Sequence, residues 1–441
     1  MLRSPLVALI PLALAACPSE GGGDEASTGN TTTTAGDSND TIPTGGGEDP
    51  GFSPDYRQIL SGTTVAVEYA KVRVGHLDDS DVDGCCADFV LAGPDQNHVR
   101  IMFGTSSRGL VFLSDVADQI YPMGPAAVGI EDVVVTDINN DFLDDVLALR
   151  SDGVVGIRYG LGATAPDPVL SDRLIEASLT SSMKKGARSL AVTDIDCLGK
   201  KDLVAVAPGD DGIVYAFATA GETFSSPVFR STGAGTSPRQ LATGDLNADT
   251  NPDIVTGNAD GSASVLINQC SGFDVSKYLI FQNSNFSTPD MQVALGRVCA
   301  GASSKDWPAI ALGYGQRVFI FCGSSTGQYS QIGEEPGSVA VTAVDYTMTL
   351  NANPVPDSAV YQLQYWEPTQ SLLVLWSNIP EEFAVFDPSA FLKHQPLVNL
   401  HGRGAGRAFA AHQSRSTGGP EWSQAIVLVP GSGFTDVSFT R

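Results

Sequence analysis

Two short segments of this chain carry oxygen-bearing side chains at one shared spacing. They are residues 137–145, DINNDFLDD, and residues 245–253, DLNADTNPD, and in both the oxygens stand at positions 1, 3, 5 and 9. Ca²⁺ prefers about six to eight oxygen ligands, and alternate positions of a tight loop point towards one centre. The spacing therefore predicts two calcium sites, with a backbone carbonyl at position 7 as a further ligand. The predicted ligands are Asp137, Asn139, Asp141, Asp145, Asp245, Asn247, Asp249 and Asp253.

Two further acidic segments depart from this spacing. Residues 194–202, DIDCLGKKD, have Leu198 at position 5, which offers no oxygen. This segment either binds Ca²⁺ with fewer ligands or uses Lys200 or Lys201 as a tethered cation. The other segment comes first in the chain and starts at His76. It has one extra residue before its last aspartate, Asp88, which predicts a distorted site. The ligands predicted in these two segments are Asp194, Asp196, Asp202, Asp79, Asp81, Asp83 and Asp88.

Other interpretations of the acidic segments fit the sequence less well than calcium binding does. Mg²⁺ demands stricter octahedral geometry and keeps its waters, so it fits less well. Asp and Asn also stabilise turns without any metal, but two full copies at identical spacing favour a metal. An EF-hand is excluded because position 12 carries no Glu and strands flank the segments.

Short β-rich runs position these segments and recur along the chain. Residues 240–255 form the clearest unit, followed by a glycine turn and the strand 264–268. Similar units give seven markers, each the residue after a first strand, at positions 76, 137, 194, 245, 297, 345 and 412. One small antiparallel sheet cannot bury both of its faces, so such units must stack. This predicts an all-β, seven-bladed β-propeller, with six or eight blades, a sandwich pair or a solenoid as alternatives.

The acidic loops and their flanking strands resemble FG-GAP repeats, also called VCBS repeats, which form the integrin-α-like propeller. Residues 219–228, TAGETFSSPV, are similar to the inter-blade segment of that family. The resemblance covers about residues 70 to 430 and is strongest in the second to fourth units. It implies a propeller fold and structural Ca²⁺ at the matching loop positions.

The N-terminus has the features of an export signal. Arg3 precedes an apolar run over residues 6–16 that is too short to span a bilayer. The run ends in Leu-Ala-Ala-Cys17, which resembles the lipobox of bacterial lipoproteins. This implies a signal peptide over residues 1–16, a lipid on Cys17 and anchoring in an outer membrane, the periplasm or the cell surface. An ordinary secretory signal with a chance cysteine is the alternative.

Residues 18–54 are rich in Gly, Ser, Thr, Asp and Glu and contain no basic residue. Such a composition cannot bury enough apolar surface to fold, so we predict a disordered tether over residues 17–54 and a folded body over residues 55–441. The net charge of −25 repels phosphate backbones and argues against nucleic acid as a partner.

Six cysteines follow Cys17, and an even number in an exported chain favours disulfides. None of them forms a CxxC pair, and the five histidines are scattered, so a zinc site is not expected. Cys85 and Cys86 are adjacent. We expect each to pair elsewhere, with Cys197 as a candidate partner, and a strained vicinal disulfide with a redox or ligand-contact role is the alternative. The remaining pairing stays open.

No catalytic motif accompanies the predicted fold. The sequence has no P-loop, and its one Gly-x-Ser-x-Gly stretch, residues 323–327, lies in a β-rich unit and not at the strand-to-helix turn of a nucleophile elbow. We therefore predict no catalytic residues and a non-enzymatic role, namely a calcium-stabilised binding, adhesion or scaffolding module with an unknown protein or glycan partner. The alternatives are a lectin and a propeller enzyme acting on polysaccharide, either a lyase or a glycosidase.

Overall fold

The computed structural model divides the chain into two units, Met1–Pro50 and Gly51–Arg441. All residues that the structure describes lie in the second unit. The predicted signal peptide, Cys17, residues 18–52, Asp79, Asp81, Asp83, Cys85 and Cys86 lie outside them. The described residues are 53–55, 69, 71–78, 88–107, 110–113, 117–180, 187–279, 291–296, 309–314, 317–323, 329–334, 343–349, 360–367, 372–378, 394–399, 408–414, 422–429 and 433–440.

The described strands form seven four-stranded antiparallel sheets, numbered here in chain order, and one two-stranded hairpin. The first strand in the chain is β1 (Ser53–Asp55). Sheet 1 contains β2 (Lys71–Gly75), β3 (Asp88–Ala92), β4 (His98–Met102) and β7 (Gln119–Pro122), and the hairpin β5 (Gly104–Ser107) with β6 (Leu110–Leu113) lies between β4 and β7 in the chain. Sheet 2 contains β8 (Ile130–Thr136), β9 (Asp145–Arg150), β10 (Val154–Arg158) and β11 (Ile175–Ser178). Sheet 3 contains β12 (Leu190–Thr193), β13 (Asp202–Ala207), β14 (Gly212–Ala216) and β15 (Val228–Ser231).

The remaining sheets repeat the same strand order. Sheet 4 contains β16 (Pro238–Gly244), β17 (Asp253–Asn258), β18 (Ala263–Asn268) and β19 (Phe273–Leu279). Sheet 5 contains β20 (Met291–Gly296), β21 (Ala309–Tyr314), β22 (Arg317–Gly323) and β23 (Tyr329–Glu334). Sheet 6 contains β24 (Ala343–Thr349), β25 (Val360–Glu367), β26 (Leu372–Asn378) and β27 (His394–Asn399). Sheet 7 contains β28 (Ala408–Ser414), β29 (Trp422–Val429), β30 (Gly433–Thr440) and the distant strand β1.

The first strands of the sheets form a closed series of contacts. Each of β2, β8, β12, β16, β20 and β24 contacts the first strand of the next sheet, and β28 contacts β2. Strand β1 completes sheet 7 by pairing antiparallel with β30, with Ser53 opposite Thr440. This strand begins two residues before the body boundary that we expected at residue 55. The arrangement is a propeller-like all-β fold.

The hydrophobic core lies between successive sheets. Every residue of the second strands β3, β9, β13 and β17 is buried, because each of these strands has a neighbouring sheet on both faces. Val133 of sheet 2 packs with Val90 and Ile101 of sheet 1, and Leu149 of sheet 2 packs with Leu203 and Val214 of sheet 3. Equivalent clusters join sheet 3 to sheet 4 and sheet 4 to sheet 5.

Hydrogen bonds also join neighbouring first strands. In three successive pairs of sheets, from sheet 2 to sheet 5, the acceptor is the side chain five residues before the marker. The donor is the backbone N–H four residues before the next marker. These bonds satisfy backbone groups that the sheet ladder leaves unpaired. They run from Leu190 N to Asp132 Oδ2 (3.0 Å), from Leu241 N to Ser189 Oγ (3.3 Å) and from Val293 N to Gln240 Oε1 (2.6 Å).

The ends of the first strands agree with the markers in sheets 1 to 5. Each of β2, β8, β12, β16 and β20 ends at the residue before its marker. In sheets 6 and 7 the strands β24 and β28 continue past markers 345 and 412, where no acidic loop interrupts them. In the described part, no helix is long and apolar enough to cross a membrane.

A disulfide joins Cys197, in the loop after β12, to Cys270, in the turn after β18. The expectation that Cys197 pairs with Cys85 or Cys86 is therefore wrong. The loop after β12 lies against sheet 4, where Asn268 Nδ2 also donates to the Ile195 carbonyl at 2.9 Å. This contact between sheets, which the spacing of the cysteines does not reveal, brings Cys270 within reach.

We expect the double substitution Cys197→Ser with Cys270→Ser to lower the free energy of unfolding by about 2–4 kcal/mol, because the disulfide closes a long loop in the unfolded chain. Urea denaturation of the oxidised proteins measures the change. Peptide mapping that linked Cys197 to any other cysteine would contradict the pairing.

Candidate functional site

The acidic loop between β8 and β9 is folded by its own side chains. The carboxylate of Asp137 accepts backbone N–H bonds from Asp141 (3.1 Å) and Phe142 (2.8 Å). Asn139 Oδ1 accepts a second bond from the Asp141 N–H (3.0 Å), and Asp141 Oδ1 accepts one from Leu143 (2.9 Å). The acidic and amide side chains therefore turn inwards around one short stretch of backbone.

The loop between β16 and β17 repeats these bonds. Asp245 accepts from the N–H groups of Asp249 (3.1 Å) and Thr250 (2.9 Å), and Asp249 accepts from Asn251 (2.8 Å). Asn247 accepts from the Asp249 N–H at 3.1 Å. Position 6 adopts a left-handed backbone in both loops, with φ of 71° at Phe142 and 72° at Thr250. The equal spacing in sequence thus corresponds to equal local structure.

The aspartate at position 9 has a structural role that the ligand interpretation did not anticipate. Asp145 is fully buried, and its two oxygens accept N–H bonds from Ile138 and Gly160, both at 2.8 Å. It thereby ties the end of the first strand to the end of the third. The equivalent bonds are Leu77 and Gly104 to Asp88, Ile195 and Ala218 to Asp202, and Leu246 and Asn268 to Asp253. The recurrence of Asp as the first residue of a second strand is the sequence signal for this role.

Burial changes the proton affinity of these carboxylates. Desolvation raises the pKa of Asp88, Asp145 and Asp253 to about 6 and raises the pKa of Asp202, while the backbone N–H donors partly offset it. The nearby charges of Asp137 and Asp141 raise the pKa of Asp145 further. A cation among these groups would favour their ionised forms.

The acidic loop between β12 and β13 brings three carboxylates together. Oxygen atoms of Asp194, Asp196 and Asp202 all lie within 4.8 Å of one another, and within the described residues they are the one such group of three or more His, Cys, Asp or Glu. Lys200 Nζ donates to the Thr219 carbonyl at 2.9 Å, and Lys201 Nζ donates to Thr136 Oγ1 at 3.0 Å. The described bonds therefore direct both ammonium groups to other partners, which argues against a tethered cation in this loop.

The acidic loops lie side by side at one end of their sheets. Asp144 Oδ2 accepts the His76 N–H at 2.8 Å, and Lys201 Nζ donates to the Asp137 carbonyl. In each case the residue at position 8 of one loop reaches the marker residue of the preceding sheet. The second loop thus lies beside the third loop and beside the marker of sheet 1. Among the described residues, the structure brings three carboxylates within 4.8 Å of one another in the third loop alone, and Asp88 is the one predicted ligand of the first loop that the structure describes.

Comparisons with known proteins identify the fold and no family. No protein-family model and no curated protein matches the chain. The chain is similar to Raptor of Chaetomium thermophilum, with 11% identity over 89% of this chain and 29% of Raptor and a TM-score of 0.51. A candidate 6-phosphogluconolactonase from Bacteroides uniformis aligns over 72% of this chain and 83% of its own, with 12% identity and a TM-score of 0.47. At 11% identity the likeness to Raptor supports the all-β fold alone.

We expect Asp145→Ala to lower the free energy of unfolding of the metal-free chain by about 2–5 kcal/mol, because it leaves two buried N–H groups unpaired. Asp141→Ala is the matched control at the exposed part of the same loop, with an expected loss below about 1 kcal/mol. Urea denaturation in chelator-treated buffer measures both, and equal losses would contradict the bridging role.

The raised pKa values also predict a pH dependence in metal-free buffer. The folded chain binds a proton on Asp253 more tightly than the unfolded chain does, so this group adds stability as the pH falls from about 7 to about 4. The same contribution is lost as the pH rises through about 6. Asp253→Asn removes the titration, so the wild-type chain should gain more stability than the variant between about pH 7 and pH 5. A pH-independent difference between the two denaturation free energies would refute this.

Proposed function

We propose that this chain is an exported, lipid-anchored, seven-bladed β-propeller of the FG-GAP/VCBS type, which serves as a calcium-stabilised binding or scaffolding module. The observation that carries the proposal is the repeated acidic loop, with the same hydrogen bonds after β8 and after β16. The closed series of contacts between seven first strands supports the blade count. The sequence of residues 1–17 supports export and a lipid on Cys17.

The donor groups of the loops suit Ca²⁺. All of the side-chain ligands are hard oxygen donors, and most are carboxylates, as calcium prefers. The carboxylates of Asp194, Asp196 and Asp202 converge within 4.8 Å, an arrangement that is electrostatically unfavourable unless a cation neutralises it. Asp137 and Asp245 would hold the ion in the second and fourth loops together with the residues at positions 3, 5 and 9.

When bound, the ion would supply charge neutralisation and a cross-link between the strand ends. The other contacts that hold the loops in place come from the chain's own residues. Asp145 and Asp253 fix the strand ends that their loops connect. In the second and third loops the residue at position 8, Asp144 or Lys201, joins the loop to the preceding sheet. Such a rigid end of the sheets is suited to presenting a constant surface to a protein or glycan partner.

The experiment that tests calcium is thermal unfolding of the full chain with excess Ca²⁺ and with EDTA. We expect Ca²⁺ to raise Tm, because a ligand that binds only the folded state adds about 2.7 kcal/mol at a hundredfold excess over Kd. Asp137→Ala and Asp245→Ala should each reduce the rise.

Asp167→Asn is the matched control for that experiment, because it removes an exposed carboxylate far from the acidic loops in sequence. Its Ca²⁺-dependent shift should equal that of the wild-type chain. The calcium proposal would be abandoned if Ca²⁺ left Tm unchanged in every protein. Turnover of soluble polysaccharides would instead favour a lyase or glycosidase, and saturable glycan binding without turnover would favour a lectin.

A further inference from the structure

Two neighbouring acidic loops carry large apolar side chains that are open to solvent. Phe142, at position 6 of the loop between β8 and β9, is 96% exposed, and Leu198, at position 5 of the loop between β12 and β13, is 78% exposed. In the described part of the chain, no other large apolar side chain is as exposed as these two. The two loops contact each other, because Asn140 Nδ2 donates to the Gly199 carbonyl at 3.4 Å. Phe142 and Leu198 therefore belong to one pair of adjoining loops.

Neither side chain is explained by the stability of the fold. Phe142 has a left-handed backbone with φ of 71°, which is unfavourable for a bulky residue, and its exposure leaves little burial to offset that cost. The equivalent residues of the third and fourth loops are Gly199 and Thr250, at φ of 83° and 72°. Leu198 stands at the position where the second and fourth loops have an aspartate. An apolar residue there removes a predicted ligand and buries nothing, which indicates a contact outside the chain.

The charge beside these side chains depends on the proposed ions. Without a cation, the converging carboxylates of Asp194, Asp196 and Asp202 repel any anionic surface. The second and fourth loops each offer four side chains and one backbone carbonyl to an ion, whereas Ca²⁺ prefers about six to eight oxygens. The third loop offers fewer, because Leu198 supplies none. Calcium at these loops would therefore reduce the repulsion and leave room for oxygens from outside the chain.

The first described strand begins at the same end of the sheets. In sheet 7, β1 pairs antiparallel with β30, β30 with β29, and β29 with β28. Strand β1 therefore begins at the end of its sheet where the first strand, β28, ends. In sheets 2 to 4 the acidic loops follow that end of the first strand. A chain that a lipid on Cys17 holds at a bilayer thus enters the folded body, at Ser53, on the side that carries the acidic loops.

We propose that the acidic-loop end of the sheets docks on an anionic phospholipid surface when Ca²⁺ is bound, and that Phe142 and Leu198 enter the interfacial layer of the bilayer. Apolar side chains and electrostatic attraction to anionic lipids together give such peripheral binding. A bilayer accepts two protruding side chains without a matching pocket, and a single lipid chain anchors a protein only weakly unless a second contact is added. The proposal rests on the proposed calcium sites and lipid, and it names the surface that the acidic end contacts.

Partitioning of the full chain onto phospholipid vesicles tests the docking. The reference protein carries Cys17→Ser, so that no lipid is attached, and residues 1–16 contribute equally in every variant. Sedimentation with vesicles of phosphatidylglycerol and phosphatidylcholine in equal parts gives a partition coefficient, once in Ca²⁺ and once in EDTA. We expect Ca²⁺ to raise this coefficient at least about tenfold. Pure phosphatidylcholine vesicles should show a much smaller effect, because they carry no net charge.

Substitutions in the loops test the two apolar side chains. Phe142→Thr, which gives the second loop the residue of the fourth, and Leu198→Ser should each lower the coefficient in Ca²⁺ about tenfold, the lower limit for burying such side chains. Phe142→Trp should keep the reference value, because Trp is suited to the membrane interface. Neither residue is a predicted ligand, so the rise of Tm in Ca²⁺ should be the same in these variants as in the reference protein.

Ile120→Ser is the matched control, because Ile120 is an exposed apolar residue of β7 that lies opposite Arg100, midway along β4. It should leave the coefficient unchanged. Docking is overturned if Ca²⁺ does not strengthen binding to the anionic vesicles, or if Ile120→Ser weakens it as much as the loop variants do. It is also overturned if Phe142→Thr and Leu198→Ser leave binding unchanged. Pelleting in Ca²⁺ without vesicles would identify a second copy of the chain as the occupant and would overturn docking as well.

Thermal unfolding of the same samples separates this proposal from the calcium-stabilised module. A rise of Tm in Ca²⁺ without vesicle binding rejects docking and leaves the module in place. An unchanged Tm rejects the module, and the vesicle titration still decides docking. Circular dichroism checks the fold of each variant, and Leu198→Ser decides the question if Phe142→Thr does not fold.

Discussion

A buried carboxylate at the start of the second strand is the constraint on which sheets 1 to 4 depend. In sheet 2, Asp145 joins the N–H of Ile138, just after the first strand, to that of Gly160, just after the third. Two strand ends are thereby held at a fixed separation, and the intervening loop must fold within it. Ionisation of the buried group is costly, which is why its pKa rises to about 6, and the two N–H donors offset part of that cost. The positions of the exposed acidic side chains in the loop depend on this bridge.

A second constraint comes from the first strands, whose outer edges have no strand partner. Backbone N–H groups that are buried without an acceptor are costly, so each first strand needs a polar side chain that reaches the next one. Asp132, Ser189 and Gln240 fulfil this need in three successive sheets. Their chemical types differ while their function is the same. In sheet 1 the residue at this position is Lys71, whose ammonium group cannot accept a hydrogen bond. The N–H of Val133 in sheet 2 bonds instead to Asp132 of its own strand.

The sequence predicted the strands and the acidic loops better than it predicted the contacts between sheets. Alternating oxygen donors at fixed spacing are a local pattern, and the first strands of sheets 2 to 4 end at the residue before that pattern begins. The bridging role of Asp145 could not be separated from a ligand role, because both use an Asp at the same position. The partner of Cys197 depends on how the loop after β12 lies against sheet 4, and six cysteines offer no local rule for that choice.

The pairing of β1 with β30 has a consequence for the order of folding. Sheets 1 to 6 are each built from a continuous stretch of chain and can form while synthesis is still in progress. Sheet 7 needs Ser53–Asp55 and Gly433–Thr440 together, so its completion waits until Gly433–Thr440 has been synthesised. Closure of so long a loop is entropically expensive and slow. Until it occurs, β1 and the facing edges of the neighbouring sheets are unpaired and open to association with other chains. The arrival of β30 therefore determines when the edge strand β1 becomes protected.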